Sequence, residues 1–307
     1  MLERPITHLR YVALGVPDLA VQASFFQHEW GLTPVSDDSG VVYFAAEGSP
    51  EPFIIRARQS DERRLDLFSF GSPDASTVDS LAANLATSGV TLITEPGKLD
   101  SPSGGYGFRF FDLDGRTVEV SSDVAHRQHR KIEEKESIPV RLSHVVVNSA
   151  DPTATKDWYV QHLGFRLSDS LGDWMHFMRC SPLHHSFAVA RSGHTSLNHV
   201  SFEMRGFDEY MRGTGRVLRA GRPLLWGPGR HLAGDNTFSY FLDPHGNTVE
   251  YTTALAELDE DAWHPHVYDF NDPEVQDQWG TSGPTEDIVA NGHATGPDPG
   301  VFQAPPI

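Results

Sequence analysis

Three side chains set the chemical question in this sequence: His144 in LSHVVV, His199 in LNHVSFEM and Glu250 in NTVEY. Each lies in a run of alternating apolar residues, the pattern of a half-buried strand whose successive side chains point to opposite faces. Three strands are therefore predicted, each aiming one ligand-capable group at an interior face. A half-buried carboxylate such as Glu250 costs several kcal/mol unless something pairs with it. Two imidazoles and one carboxylate on one face form the facial set that holds a non-haem Fe(II) and leaves positions open for further ligands. The plainer reading, three interior polar residues each satisfied by hydrogen bonds, must explain why all three fall on corresponding strands of a repeat.

That repeat divides the chain. GFRFFDLDGRTVEVSS (107–122) matches TFSYFLDPHGNTVEYTT (237–253), with Glu119 at the place of Glu250. Both segments read as hairpins around a tight turn, and in DPHG the Pro and Gly suit its second and fourth positions. The openings ITHLRYVALGVPDL and RLSHVVVNSADP align His8 with His144, and each leads into an amphipathic helix closed by Gly and a hydrophobe. A long internal repeat takes precedence over local signals. In the first copy, strands are predicted at 8–15, 41–45, 52–57, 65–70, 108–111 and 117–120, with helices at 19–29 and 77–88. In the second copy, strands are predicted from 143 and at 174–178, 185–190, 199–203, 237–242 and 247–251. Its helices are predicted at 152–162 and 207–219, and His231 lies on a loop.

The fold class is α+β, with two tandem modules of paired βαβββ units curled into a partly open barrel. The modules are 1–122 and 141–256, joined by a charged linker at 123–140 and followed by an extension and Gly/Pro-rich tail at 257–307. Leu67 stands where the second module has His199. The first module is therefore predicted to be a scaffold whose metal site has decayed, with His8 and Glu119 as ordinary hydrogen-bonded residues.

Composition removes other classes. The 307 residues are 38% hydrophobic, enough for two packed cores. A formal net charge of -18 argues against nucleic acid or an anionic membrane surface as partner. No run has transmembrane length, and Met1 leads into polar sequence rather than a signal peptide. With Cys180 the only cysteine, no intrachain disulfide forms, and the cytoplasm is the expected location.

The two-module layout, LNHVSFE and GPGRH…Y…DP.G..VE resemble the type I extradiol ring-cleavage dioxygenases of the vicinal oxygen chelate superfamily, over roughly residues 5–280. The resemblance implies a homo-oligomeric catabolic enzyme that cleaves a catechol beside its two hydroxyls with O2, using Fe(II) or, alternatively, Mn(II). His144, His199 and Glu250 would be the metal ligands. His185, fourteen residues before His199, would be the acid–base group. His231 of GPGRH would be the pocket histidine and Tyr240 the hydrogen-bond donor to a substrate hydroxyl. His184 is the weaker candidate, because strand alternation would point it to the other face. Some relatives that take carboxylated catechols carry an arginine just before GPGRH, where this chain has Trp226, which leans towards an apolar or aromatic ring substituent. The segment from 263 to 279 resembles the family's C-terminal segment that closes over the site. Two rival readings stand: a hydroquinone-cleaving or other metal-dependent enzyme of the superfamily, and a metal-free small-molecule binding protein.

Overall fold

The computed structural model describes residues 4–38, 40–282 and 296–306. Module one runs β1 (His8–Val16), α1 (Leu19–Ser24, continued by a π-helical turn Phe25–Trp30), β2 (Thr33–Asp38), β3 (Val41–Ala45), β4 (Ile55–Gln59), β5 (Arg64–Gly71), α2 (Ala75–Thr87), β6 (Gly97–Lys98), β7 (Tyr106–Phe111) and β8 (Thr117–Ser122). Module two runs β9 (Pro139–Ser149), α3 (Pro152–Leu163), β10 (Arg166–Leu171), β11 (Met175–Arg179), β12 (Phe187–Arg191), β13 (Ser196–Met204), α4 (Phe207–Arg219), β14 (Trp226–Arg230), β15 (Thr237–Leu242) and β16 (Thr248–Thr253). The extension adds β17 (His266–Tyr268) and α5 (Pro273–Gln276).

Each module folds into one strongly bent mixed sheet, of order β2-β3-β4-β1-β5-β8-β7-β6 in the first and β14-β15-β16-β13-β9-β12-β11-β10-β17 in the second. Neither closes into a barrel, in keeping with paired βαβββ units. The linker holds no strand or helix until β9 begins at Pro139. Five strands are not predicted by the sequence pattern: β2, β10, β14 and the short β6 and β17. β2 and β10 carry polar residues at most positions, and β14 is WGPGR, in which Gly and Pro mask strand character.

The helix punctuation repeats and corrects one alignment. Asp18 accepts a hydrogen bond from Val21 N and Asp151 from Ala154 N, each capping a helix that stops at a left-handed glycine, Gly31 or Gly164. Counting back seven residues from each capping aspartate pairs His144 with Tyr11, not with His8. Register agrees, since Tyr11 faces Ser69 on β5 as His144 faces Ser201 on β13. His8 lies outside the equivalent position and hydrogen-bonds Glu51 at 2.9 Å near the surface.

One face of each sheet enters a common core. Val12, Leu14, Phe68 and Phe70 from the first module share it with Val145, Val147, Phe187 and Val189 from the second. The first helix is exchanged in its packing: Trp30 stacks on Tyr251 at 3.9 Å and meets Phe202 and Phe241 edge-on, all in module two. Conversely, Tyr159 of α3 donates to Asp112 of module one. Fully burying each such large side chain stabilises the fold by about 1.5–3 kcal/mol, so neither module's core is complete alone. This shared core uses up one face of each sheet and leaves the opposite, concave face for polar groups.

The tail is tied down where it is described. Asp298 accepts from Leu65 N, and Phe302 packs edge-on against Phe111. The tail between 283 and 295 lies outside the described residues.

Candidate metal centre

β9, β13 and β16 are neighbours in the second sheet, and each contributes one member of the predicted set. Register makes them meet. His144 lies opposite Ser201, Ser201 lies beside Glu250, and His199 is two residues before Ser201 on the same face. His144 Nε2 is 3.0 Å from Glu250 Oε2, His199 Nε2 is 3.5 Å from it, and the two Nε2 atoms are 3.3 Å apart. All three residues are buried.

The donor set fits a divalent ion on three counts. Ligand atoms about 2.1 Å from one ion and at octahedral to tetrahedral angles lie about 3.0–3.4 Å from one another, close to the 3.0, 3.3 and 3.5 Å found. His199 Nδ1 donates to Asn198 Oδ1 at 2.7 Å, and His144 Nδ1 faces Ser143 Oγ at 3.0 Å. Those partners orient each ring and turn its Nε2 to the shared centre, as outer partners of metal-bound histidines do. Asn198 is itself held by Asn148, and Asn148 by Ser196. Finally, the buried Glu250 carboxylate has no guanidinium or ammonium partner among the described residues, only the imidazoles of His144 and His199 beside it. A buried carboxylate left that way is costly, and an ion between the three side chains would relieve it.

Equivalent positions in the first module reach charge balance differently. Tyr11, Leu67 and Glu119 replace His144, His199 and Glu250 by register, and Arg109 faces Glu119 as Tyr240 faces Glu250. Arg109 pairs with Glu119 at 2.9 Å, and Tyr11 and Ser69 each donate to it at 3.0 Å. Glu119 is thus a hydrogen-bonded interior residue whose cation is a guanidinium.

His185 lies beside His144, with ring centroids 4.3 Å apart and the rings tilted by 53°. Burial, reinforced by the imidazoles of His144, His184, His199 and His231, holds His185 well below the usual histidine range, so it is neutral near pH 7. Tyr240 lies edge-on to His199, 5.2 Å between centroids. Burial and then the charge of Glu250 raise its hydroxyl well above the usual phenol range, so it keeps its proton. His231 follows β14; its Nδ1 donates to Gln276 O at 2.9 Å, and its Nε2 meets the Tyr240 hydroxyl at 3.1 Å. Burial lowers the His231 pKa.

His184 does not point to the opposite face from His185. His184 and His185 precede β12 in a bend, so strand alternation does not apply to them. Their Nδ1 atoms lie 2.9 Å apart, and His184 Nε2 is 2.8 Å from Asp169 Oδ2. His184 thus lies behind His185, and Asp169, which the sequence pattern does not single out, lies behind His184. A pair of adjacent histidines was the available signal, but Asp169 lies on β10, a strand whose polar pattern gave none.

The rest of the concave face is apolar. Val146, Leu171, Met175, Phe177, Ala188 and Ala190 form one cluster with Ala233 and with Val275 of the extension. Trp226 stacks on Tyr240 at 5.6 Å on the other flank. Arg230 of GPGRH turns away to pair with Asp235 at 2.7 Å. The extension crosses this region: Phe270 stacks on Trp174 at 4.3 Å, and Gln278 donates to the His231 carbonyl. His264 and His266 are at the surface, while Tyr268 is half-buried against the cluster.

Two tandem bent sheets, with a His–His–carboxylate cluster inside one of them, define a tandem-module protein built around a candidate metal site. Residues 141–251 match the model of the Glyoxalase/Bleomycin resistance protein/Dioxygenase superfamily. The Mn(II)-bound glyoxalase from Novosphingobium aromaticivorans is 40% identical and superposes with a TM-score of 0.92, covering 97% of this chain and 98% of that one. Metapyrocatechase 2 of Cupriavidus necator is 29% identical over 304 residues, 92% of each chain. Homoprotocatechuate 2,3-dioxygenase from Arthrobacter globiformis shares the fold, with a TM-score of 0.85 at 21% identity, over 96% of this chain and 92% of that one. The chain belongs to the Glyoxalase/Bleomycin resistance protein/Dioxygenase superfamily. Among the described residues, no helix is long and apolar enough to cross a membrane.

Proposed function

We propose that this protein is an extradiol dioxygenase that opens a catechol ring beside its two hydroxyl-bearing carbons, with Fe(II) held by His144, His199 and Glu250. The observation that carries the reading is the convergence of those three ligand atoms within 4.8 Å of one another, with His185 and Tyr240 against them. The first module, with Leu67 and the Arg109–Glu119 pair in the corresponding places, serves as scaffold and takes no ion. Metapyrocatechase 2 gives the reading a relative of matching length.

Bound at this centre, Fe(II) would hold a catechol and O2 in neighbouring open positions and let electron density pass between them. The chain's own groups do the rest. His185, neutral in the resting site, is placed to take the proton that a catechol hydroxyl loses on binding and to return it to the product. Tyr240 keeps its proton and offers a positioned O–H to the substrate oxygen, with His231 Nε2 as its resting acceptor. His231 is in turn pinned by the Gln276 carbonyl, which couples the pocket to the extension. The apolar wall excludes water and strengthens these polar contacts. The same wall, with Trp226 stacked on Tyr240 and Arg230 engaged with Asp235, supports an uncharged apolar or aromatic ring substituent.

Oxygen uptake with a panel of substituted catechols, after anaerobic restoration of Fe(II) or Mn(II), tests the reading. Turnover should give a yellow ring-opened product whose colour fades on acidification, and alkyl- or aryl-catechols should outpace carboxylated ones. A colourless dicarboxylic product would mean cleavage between the hydroxyls and would end the assignment. The Mn(II)-bound glyoxalase relative supports a second reading, a metal-dependent reaction of the superfamily other than catechol cleavage. Catechol-independent turnover without oxygen uptake would favour it.

A further inference from the structure

The buried chain Asp169–His184–His185 is not used by the reading above, which treats His185 as a lone acid–base group. Its polarity follows from donor and acceptor counts. Asp169 Oδ1 accepts the backbone N–H of His266 at 2.7 Å, and its Oδ2 faces His184 Nε2 at 2.8 Å. A carboxylate oxygen accepts, so His184 Nε2 carries a proton. The other nitrogen of a neutral His184 is then a bare acceptor. It faces His185 Nδ1 at 2.9 Å, so that atom must carry the donated proton. His185 is left with a bare Nε2, the atom not committed to His184. Asp169 and His184 are both buried, at 1% exposure each, which excludes water as an alternative partner.

We infer that Asp169 and His184 are positioning residues that fix the His185 tautomer and receive the positive charge when His185 takes a proton. The inference rests on the ring-cleavage reading for the source of that proton. The proton balance is simple. A substrate O–H gives its proton to His185 Nε2, and His185 gives its Nδ1 proton to His184 Nδ1. His185 ends neutral with its tautomer reversed, and His184 ends as an imidazolium. The charge then sits beside the Asp169 carboxylate rather than beside the three ligand residues. At 2.8 Å the carboxylate is well placed to stabilise it. The return of the proton reverses both transfers. The titratable groups facing His184 are His185 next to it, Asp169 from β10 and, beyond Asp169, His266 from the extension.

Asp169→Asn is the discriminating variant. The Asn oxygen can keep the His266 N–H, which turns its NH2 towards His184 Nε2. That donor forces His184 Nε2 to be bare, so His184 Nδ1 is protonated and His185 must accept at Nδ1 and carry its proton on Nε2. Nitrogen-15 NMR of the histidines in metal-free protein at pH 8 reads this directly. Wild type should show His185 protonated at Nδ1, and Asp169→Asn should show it protonated at Nε2. With the enzyme reloaded, Asp169→Asn should keep its metal content and its KM for catechol while kcat falls at least tenfold, towards the ~10⁴-fold cost of a reversed histidine tautomer in serine proteases. His184→Gln, which can accept from His185 but cannot take a proton, should retain the Nδ1–H form and still lose kcat. An Nε2–H His185 in wild type, or wild-type kcat in both variants, would overturn the inference. Failure of wild type to cleave any catechol would instead remove the ring-cleavage reading, and the NMR result would stand apart from it.

Discussion

Glu119 and Glu250 occupy the same position of the repeat, and substituting each by Gln should have opposite consequences. Glu119 is 1% exposed and paired with Arg109, whose side chain is 15% exposed. Removing one partner of a buried ion pair costs about 3–5 kcal/mol. The lower figure applies here, because Arg109 keeps some solvent and Gln retains an oxygen for Tyr11 and Ser69. Unfolding entropy per residue makes 1 kcal/mol worth roughly 1.5–2 °C in a chain this long. Glu119→Gln should therefore lower Tm by about 5 °C, with metal content unchanged. Glu250→Gln removes a buried carboxylate that has no guanidinium or ammonium partner among the described residues, only the imidazoles of His144 and His199 beside it. In metal-free protein it should leave Tm unchanged or raise it, since a buried carboxylate without a fixed cationic partner is costly to desolvate. Adding Fe(II) anaerobically at a hundredfold excess over its dissociation constant should stabilise wild type and Glu119→Gln by about 2.7 kcal/mol, some 4–5 °C. It should not shift Glu250→Gln. Scanning fluorimetry with metal analysis of the same samples measures all six values. A Glu250→Gln protein that is destabilised when metal-free and still gains Tm with Fe(II) would refute the electrostatic argument for the site.

Two further outcomes follow from the same groups. His185→Phe should retain the metal and bind catechol while turnover falls by roughly 10²–10⁴-fold; iron loss in metal analysis would make His185 a ligand, and full activity would make it structural. Burial lowers the pKa values of His162, His176 and His231 from the ordinary 6.5. Between the folded and unfolded values the unfolded chain binds more protons, so stability of the metal-free protein should be constant above about pH 6.5 and fall as pH drops below it. A Tm that rises between pH 6.5 and 5.5 would contradict that sign.

Period-2 patterning made β9, β13, β15 and β16 legible, because each alternates between a shared core and a concave face. Those strands carry every ligand of the candidate centre, and so the cluster is legible in the sequence. What failed were the places where the local rule did not hold. Asp169 sits on a strand of mostly polar residues, and the alternation that set His184 aside stops before β12 begins. Residue type alone aligns His8 with His144, whereas the capping aspartates Asp18 and Asp151 mark the true offset. Residue identity was the weaker guide there, and helix punctuation the stronger.

That corrected alignment changes what the two modules have in common. Had His8 been the counterpart of His144, the first module would differ from the second by one lost ligand. With Tyr11 and Leu67 as counterparts, two of three ligand positions differ, and a fourth position has changed with them: Arg109 stands where the second module has Tyr240. These differences act together on one problem, the buried glutamate that the hairpin places in each concave face. In module one a fixed guanidinium and two hydroxyl donors neutralise Glu119, and the face is filled by Tyr11, Phe53 and Leu67. In module two the counterparts of those three groups are Tyr240, His144 and Ser201, with the His199 imidazole beside them, and none of these is a fixed cation. The second carboxylate therefore asks for a cation from outside the chain, and the residue opposite it, Tyr240, is one that can donate a proton to a ligand without competing for that place.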